Sequence, residues 1–273
     1  MFQEVRNFFI ETFKIIKLSA YYIRFNFMSA FEYKISFFTQ VIFMALNDAI
    51  FLIYWMVLFK KIGTTINGYG LKEVMFLWSV VAVGFGASVI IFGNSNFISK
   101  IIYSGELDTY LLQPKSVLLN VLSSRTILSG WGDFIYGLVL FSFSQEATLK
   151  SVLLFFVFSV LVVIVFTSVR VFYHSLTFFL GNAEELAQTS SELVVAFSLY
   201  PGSVFKGPES WLLHSLIPAG LVAYIPAELF RKFNLTGFAV LVFSDLIILL
   251  ISVLFFHIGL KRYESGNRIG ARL

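Results

Sequence analysis

From Val152 to Leu180 the sequence is apolar almost without a break, with Arg170 and His174 as its only charged or imidazole side chains. A helix needs about 20 such residues to cross a bilayer, so this run alone points to lipid as the solvent. Five further stretches qualify by length: Ile35–Phe59, Val74–Phe92, Val117–Ser142, Glu185–Phe205 and Phe238–Leu260. They are uneven. Asn47 and Asp48 interrupt the first; Asn120, Ser123, Ser124, Arg125 and Asp133 sit inside the third; Glu185–Phe205 starts polar and turns apolar. Hydrophobic residues make up 58% of the chain, charged residues 13%, and there are 34 Phe. One water-soluble core of this size cannot hide that much apolar surface, which excludes a disordered chain and an ordinary soluble enzyme.

Ahead of these stretches, Phe2, Val5, Phe9, Phe13, Ile16, Ala20, Ile23 and Phe27 are spaced three or four apart. That spacing predicts an amphipathic helix over residues 1–33, lying in the interface with its basic side chains near anionic headgroups. Its mixture of Glu, Lys and Arg is unlike a cleaved signal. Trp211–Phe230 is apolar but carries Pro218, Gly220 and Pro226. Prolines break a continuous helix, so this stretch is expected to dip into the membrane and return; the alternative is a seventh span, which would separate the two termini. The chain then divides into an interfacial helix (1–34), a membrane-spanning domain (35–260) containing a structured loop (94–114) and a re-entrant region (203–230), and a basic tail (261–273). With six spans, Arg6, Lys14, Lys17, Arg24, Lys34, Lys100, Lys115, Lys261, Arg262, Arg268 and Arg272 share one side, the larger part of the Lys and Arg. The positive-inside rule puts that side, with both termini, in the cytoplasm.

Several chemistries lack their residues. There is no cysteine, hence no thiolate zinc site or iron–sulfur cluster. The three His are far apart and show no ligand spacing. No Walker phosphate loop, zinc-protease or nucleophile-elbow motif occurs. A net charge of +4, dispersed along the chain, does not suit nucleic acid. No catalytic, metal or cofactor site is expected.

The most informative segment lies between the second and third spans and runs Asn94 to Pro114. Asn94 or Asn96 can cap a short helix, Gly105 can end it at positive φ, and Leu107, Leu111 and Leu112 form a second small apolar face. A structured, partly apolar loop between spans reads as a docking surface for a soluble partner. Here Ser104-Gly105-Glu106-Leu107-Asp108 with Leu111-Leu112-Gln113-Pro114 resembles the G-x-L-D-x-x-L-L-x-P signature of ABC type-2 exporter permeases. The amphipathic start resembles that family's elbow helix, Tyr200-Pro201 with Ile217-Pro218 and Ile225-Pro226 its re-entrant region, and Tyr263-Glu264-Ser265-Gly266-Asn267 its tail. The resemblance implies an all-α integral membrane fold: an elbow helix, six transmembrane helices and a re-entrant helical hairpin before the last span. It also implies a bacterial cytoplasmic membrane, two separate ATP-binding subunits holding ATP and Mg, and a second permease, identical or related. The loop would be the coupling helix. Phe97, Ile101 and Ile102 would give docking area, Lys100, Gly105, Leu107 and Leu111 would complete the docking segment, and Glu106 and Asp108 would pair with basic groups of the partner.

Charged or ionisable residues at membrane depth are costly and mark a pathway or an interspan pair. Arg125, Asp133, Arg170, His174 and Asp245 are the candidates. Arg170 and His174 are four apart and share a helix face, and Arg170 is expected to pair with Asp133. Two other readings fit the same residues: a secondary transporter in which Asp133, Arg170 and His174 carry ions, and a membrane scaffold that binds a partner through the loop without transport.

Overall fold

The computed structural model describes residues 17, 20–29, 31–63, 65–66, 68–113, 116–144, 148–200, 202, 207, 212–213 and 215–264. Residues 20–29 are helical; the earlier part of the expected amphipathic helix, Pro114 and Pro201, much of 203–211, and the tail from Ser265 lie outside the described residues. Helix α1 spans Lys34–Ile62 and leads into a two-stranded hairpin, β1 (Thr65–Ile66) against β2 (Tyr69–Gly70). Helix α2 follows at once, Leu71–Ile91, with the Glu73 carboxylate reaching back to accept from the Gly70 N–H at 2.9 Å. The loop comprises a 3-10 turn (Gly93–Phe97), α3 (Ile98–Ser104) and α4 (Leu107–Leu111). Then come α5 (Val117–Ser123), α6 (Gly130–Ser144), α7 (Leu149–Ser175), the single turn α8 (Thr177–Leu180) and α9 (Glu184–Ser198). A π-helical turn (Gly220–Tyr224) runs into α10 (Ile225–Arg231), and α11 (Leu235–Leu260) ends the described fold.

Four of these helices, α1, α2, α11 and the α7–α8 run, are long and apolar enough to cross a membrane. The protein is an all-α integral membrane protein. Capping side chains set two starts earlier than hydropathy places them. Thr148 accepts from the Ser151 N–H at 3.2 Å and opens α7, and Asn234 accepts from the Gly237 N–H at 2.6 Å and opens α11. Such caps satisfy donors that a helix start leaves without partners.

One expectation changes. The third apolar stretch is two helices rather than one, broken at 124–129. The Ser124 and Thr126 hydroxyls donate to backbone carbonyls here, local bonding that competes with helix, and the break is closed by α2. The Ile127 N–H donates to the Val89 carbonyl at 3.0 Å and the Thr126 hydroxyl to the Ile90 carbonyl at 2.9 Å. Arg125 therefore lies at this break, exposed, and not inside a span. Between Pro218 and Lys232 the described chain is a π-helical turn followed by a short helix.

Helix α2 is the axis of the fold. It packs against α6 most extensively, then α7, and also meets α1, α9, α10 and the π-turn. The close approach to α6 needs glycine. A Cβ on Gly86 would lie 2.6 Å from the Gly130 carbonyl oxygen, and one on Gly137 would lie 2.8 Å from the Ser79 carbonyl oxygen. Small residues at helix crossings substitute for the hydrophobic drive that lipid does not supply; Gly84-Phe85-Gly86 is such a packing element. The main core fills the interior from Trp55 and Phe76 to Leu241. A second, separate core lies at the loop end of the bundle.

Candidate functional site

That second core is the seat of the loop. Ile98, Ile101, Ile102 and Leu107 are buried, packed with Leu118, Val121 and Leu122 of α5, Val171 of α7 and Phe256 of α11. Burying each such side chain is worth about 1.5–3 kcal/mol over exposing it. Ile101 and Ile102, expected to provide docking area, are 3% and 5% exposed, and with Leu107 they hold the loop to its own helices. Phe97 is half-buried beneath the Arg125 guanidinium, 4.2 Å from its ring centroid. What the loop presents outward is Lys100, Tyr103, Glu106, Thr109, Leu111 and Leu112, the last being 87% exposed.

Polar bonds reinforce the seat. The Ser99 backbone N–H donates to His174 Nδ1 at 3.3 Å, which makes Nδ1 the acceptor nitrogen, and the Ser99 hydroxyl lies 2.7 Å from the same atom. The Thr177 hydroxyl donates to Ser99 Oγ at 2.9 Å. His174 is therefore a latch between loop and span. Asn94 caps nothing; its amide donates to the Ser124 hydroxyl at 2.7 Å and the Val121 carbonyl at 3.0 Å, tying α2's exit to α5. Asn96 donates to the Gly93 carbonyl. Gly105 does end α3, at φ 78°. From the helical segment 20–29, Tyr22 donates to Asn120 Oδ1 at 2.7 Å, and the Asn120 amide donates to Gln113 Oε1 at 2.6 Å. The Tyr263 hydroxyl faces Asp108. Burial first, and then the Asp108 carboxylate, push the Tyr263 pKa up to about 12.

The polar residues at membrane depth do not form the expected set. Arg170 is buried, but its guanidinium donates to the Ser88 hydroxyl at 2.9 Å and lies 5.0 Å from the Phe85 ring centroid, with Asp133 acting on it electrostatically. Asp133 instead shares a cavity with Asp48 of α1. Asp48 was not recognisable as a site residue: beside Asn47 it reads only as an interruption of the first span, and nothing in the sequence separation marks a partner on α6. Asp245 stands apart on α11, buried, with neither carboxylate oxygen hydrogen-bonded among the described residues. No group of three or more His, Asp and Glu suited to a metal occurs among the described residues.

Comparison with known protein families gives one match, to the family described as ABC-2 family transporter protein, over residues 45–267. The match covers the seated loop and all four long helices except the start of α1. No curated protein and no solved structure matches the chain.

Proposed function

The chain belongs to the ABC-2 transporter family, and from that premise we propose that it is the permease subunit of an ATP-driven exporter, moving cargo with energy from separate ATPase subunits. The observation that carries this reading is the loop. It has a buried apolar side that anchors it to α5, α7 and α11 and an exposed side bearing Lys100, Tyr103, Glu106, Thr109, Leu111 and Leu112. A partner bound on the exposed side can move the helices only if the other side is fixed to them, and it is. Asp108 is half-buried, whereas Glu106 and Lys100 are exposed and serve as the charged groups for the partner.

The working unit in this proposal is two permeases with two ATP-binding subunits, which hold ATP and Mg. The permease has six membrane segments, the shorter helices α6 and α9 supplying the third and fifth. The segment ending at residue 29 serves as an elbow helix on the cytoplasmic side of a bacterial membrane, and both termini share that side. Closure of the ATPases on ATP favours one arrangement of the permeases over the other, which is how a ligand drives a conformational change.

The test is co-purification. The chain, tagged at its C-terminus, is extracted from its native host in mild detergent, and the accompanying chains are identified by mass spectrometry. An ATP-binding cassette protein should accompany the wild type and be lost from Glu106→Lys combined with Tyr103→Ala. Repeated absence of any ATPase overturns the exporter reading and favours an ion-driven transporter.

A further inference from the structure

Between α1, α2, α6 and α9 lies a cavity of about 440 Å³. One wall is aromatic: Phe51 and Tyr54 of α1, Trp78 and Phe85 of α2. Phe51 and Trp78 are 5.2 Å apart between centroids, and the Trp78 indole is held by donating to the Leu199 carbonyl at 2.8 Å. The polar end holds Asn47 and Asp48 of α1 with Asp133 and Tyr136 of α6. Asp133 is 4% exposed and lines the same cavity as Asp48. No Lys, Arg or His is among the lining residues.

Charge counting defines what fits. Two acids that line one largely apolar cavity repel each other when both are ionised, so the pair holds one proton. Arg170, behind the Phe85 ring that lines the cavity, balances the one remaining negative charge. Among the described lining residues, α2 and α9 contribute no titratable side chain, and Tyr54 and Tyr136 are the other such groups. A monovalent cation can therefore enter and keep the site neutral only if the shared proton leaves. An anion finds two acids, and a neutral molecule gains at most a hydrogen bond, with no charge to balance. Aromatic faces attract an onium group as well as an apolar body, and a mostly apolar cavity with a few convergent polar groups is the usual form of a small-molecule site.

We propose that this cavity binds lipophilic monocations, an amine or quaternary onium group at the Asp48–Asp133 pair and its apolar body against Phe51, Tyr54, Trp78 and Phe85, in exchange for one proton released to solvent. The inference deepens the permease reading by naming a cargo class, but the binding belongs to this chain alone.

The purified chain in lipid nanodiscs is titrated with tetraphenylphosphonium, its equal-sized anion tetraphenylborate, and neutral triphenylphosphine oxide. Saturable binding of the cation only is expected, tightening by up to about tenfold per pH unit as the pair loses its proton. Asp48→Asn and Asp133→Asn should each weaken it at least tenfold and flatten the pH slope. Tyr54→Leu, at a site 58% exposed, should weaken it several-fold and keep the slope. Equal binding of the three probes, no saturable binding, or a cation affinity indifferent to pH overturns the proposal. Because no ATPase is present, a failure here leaves the co-purification result untouched, and the reverse holds equally.

Discussion

Gly105 is the residue whose role is most local and most open to test. It ends α3 at φ 78°, and a Cβ there would meet nothing within 4 Å. The whole cost of Gly105→Ala is then backbone strain, about 1–2 kcal/mol, since space is not the obstacle. The expected outcome is a lowered unfolding temperature in detergent, followed by intrinsic fluorescence, with Gly105→Asn recovering part of the loss because Asn tolerates this conformation. An alanine variant as stable as the wild type would show that the turn relaxes to another geometry. The glycine was readable from the sequence because its reason lies in its immediate neighbours. His174 and Asp48 were not readable in their roles. Ser99 is 75 residues from His174, and Asp48 meets Asp133 across two helices; residue types show that such groups need partners, while only packing chooses them. Arg170 makes the same point. The expected partner Asp133 is nearby, yet Ser88 takes the hydrogen bond.

At the scale of elements, hydropathy located the long helices to within a few residues, and capping side chains account for the differences at α7 and α11. What it missed is the break between α5 and α6. A run that looks apolar on average is divided because α2's last carbonyls accept from the Ile127 N–H and the Thr126 hydroxyl, an interaction between elements that no window along the chain can register. Hydrophobic periodicity likewise gave α3 an apolar stripe and could not say whether another protein or the chain itself covers it; the second core answers for the chain. The α2–α6 crossing carries a prediction of its own. Gly86→Ala places a Cβ 2.6 Å from a backbone oxygen that has no freedom to rotate away, so the two helices must separate. Overpacking of this kind costs about 1–3 kcal/mol. A thermal melt of Gly86→Ala should fall accordingly, while Gly68→Ala, where nothing lies within 4 Å, should show only the strain of its positive φ. Equal melts for Gly86→Ala and the wild type would mean that the crossing is looser than described.

For the molecule as a whole, burial is distributed unequally. α2 is largely enclosed, whereas α1 and α11 leave most of their apolar surface exposed, as lipid-facing or subunit-facing helices do. Orientation is the property to measure at this scale, and the absence of cysteine makes it direct, because single cysteines can be introduced into the natural chain. Thr65→Cys in the β-hairpin and Tyr103→Cys on the loop lie at opposite ends of the bundle and are exposed. In intact cells a membrane-impermeant maleimide should label Thr65→Cys and spare Tyr103→Cys, with both labelled after permeabilisation. The opposite pattern would place the loop outside, where no ATPase could reach it.

The seating of the loop bears on how movement passes through the molecule. A joint with play in it wastes the first part of any stroke. Ile101, Ile102 and Leu107 fill their socket, and Ser99 is pinned at once to His174 and Thr177, so this joint has no backlash. A displacement of a few ångströms at Tyr103 or Glu106 is delivered at full amplitude to the ends of α5, α7 and α11, and stiffness there, rather than strength of attachment to a partner, sets how faithfully the far end of the bundle follows.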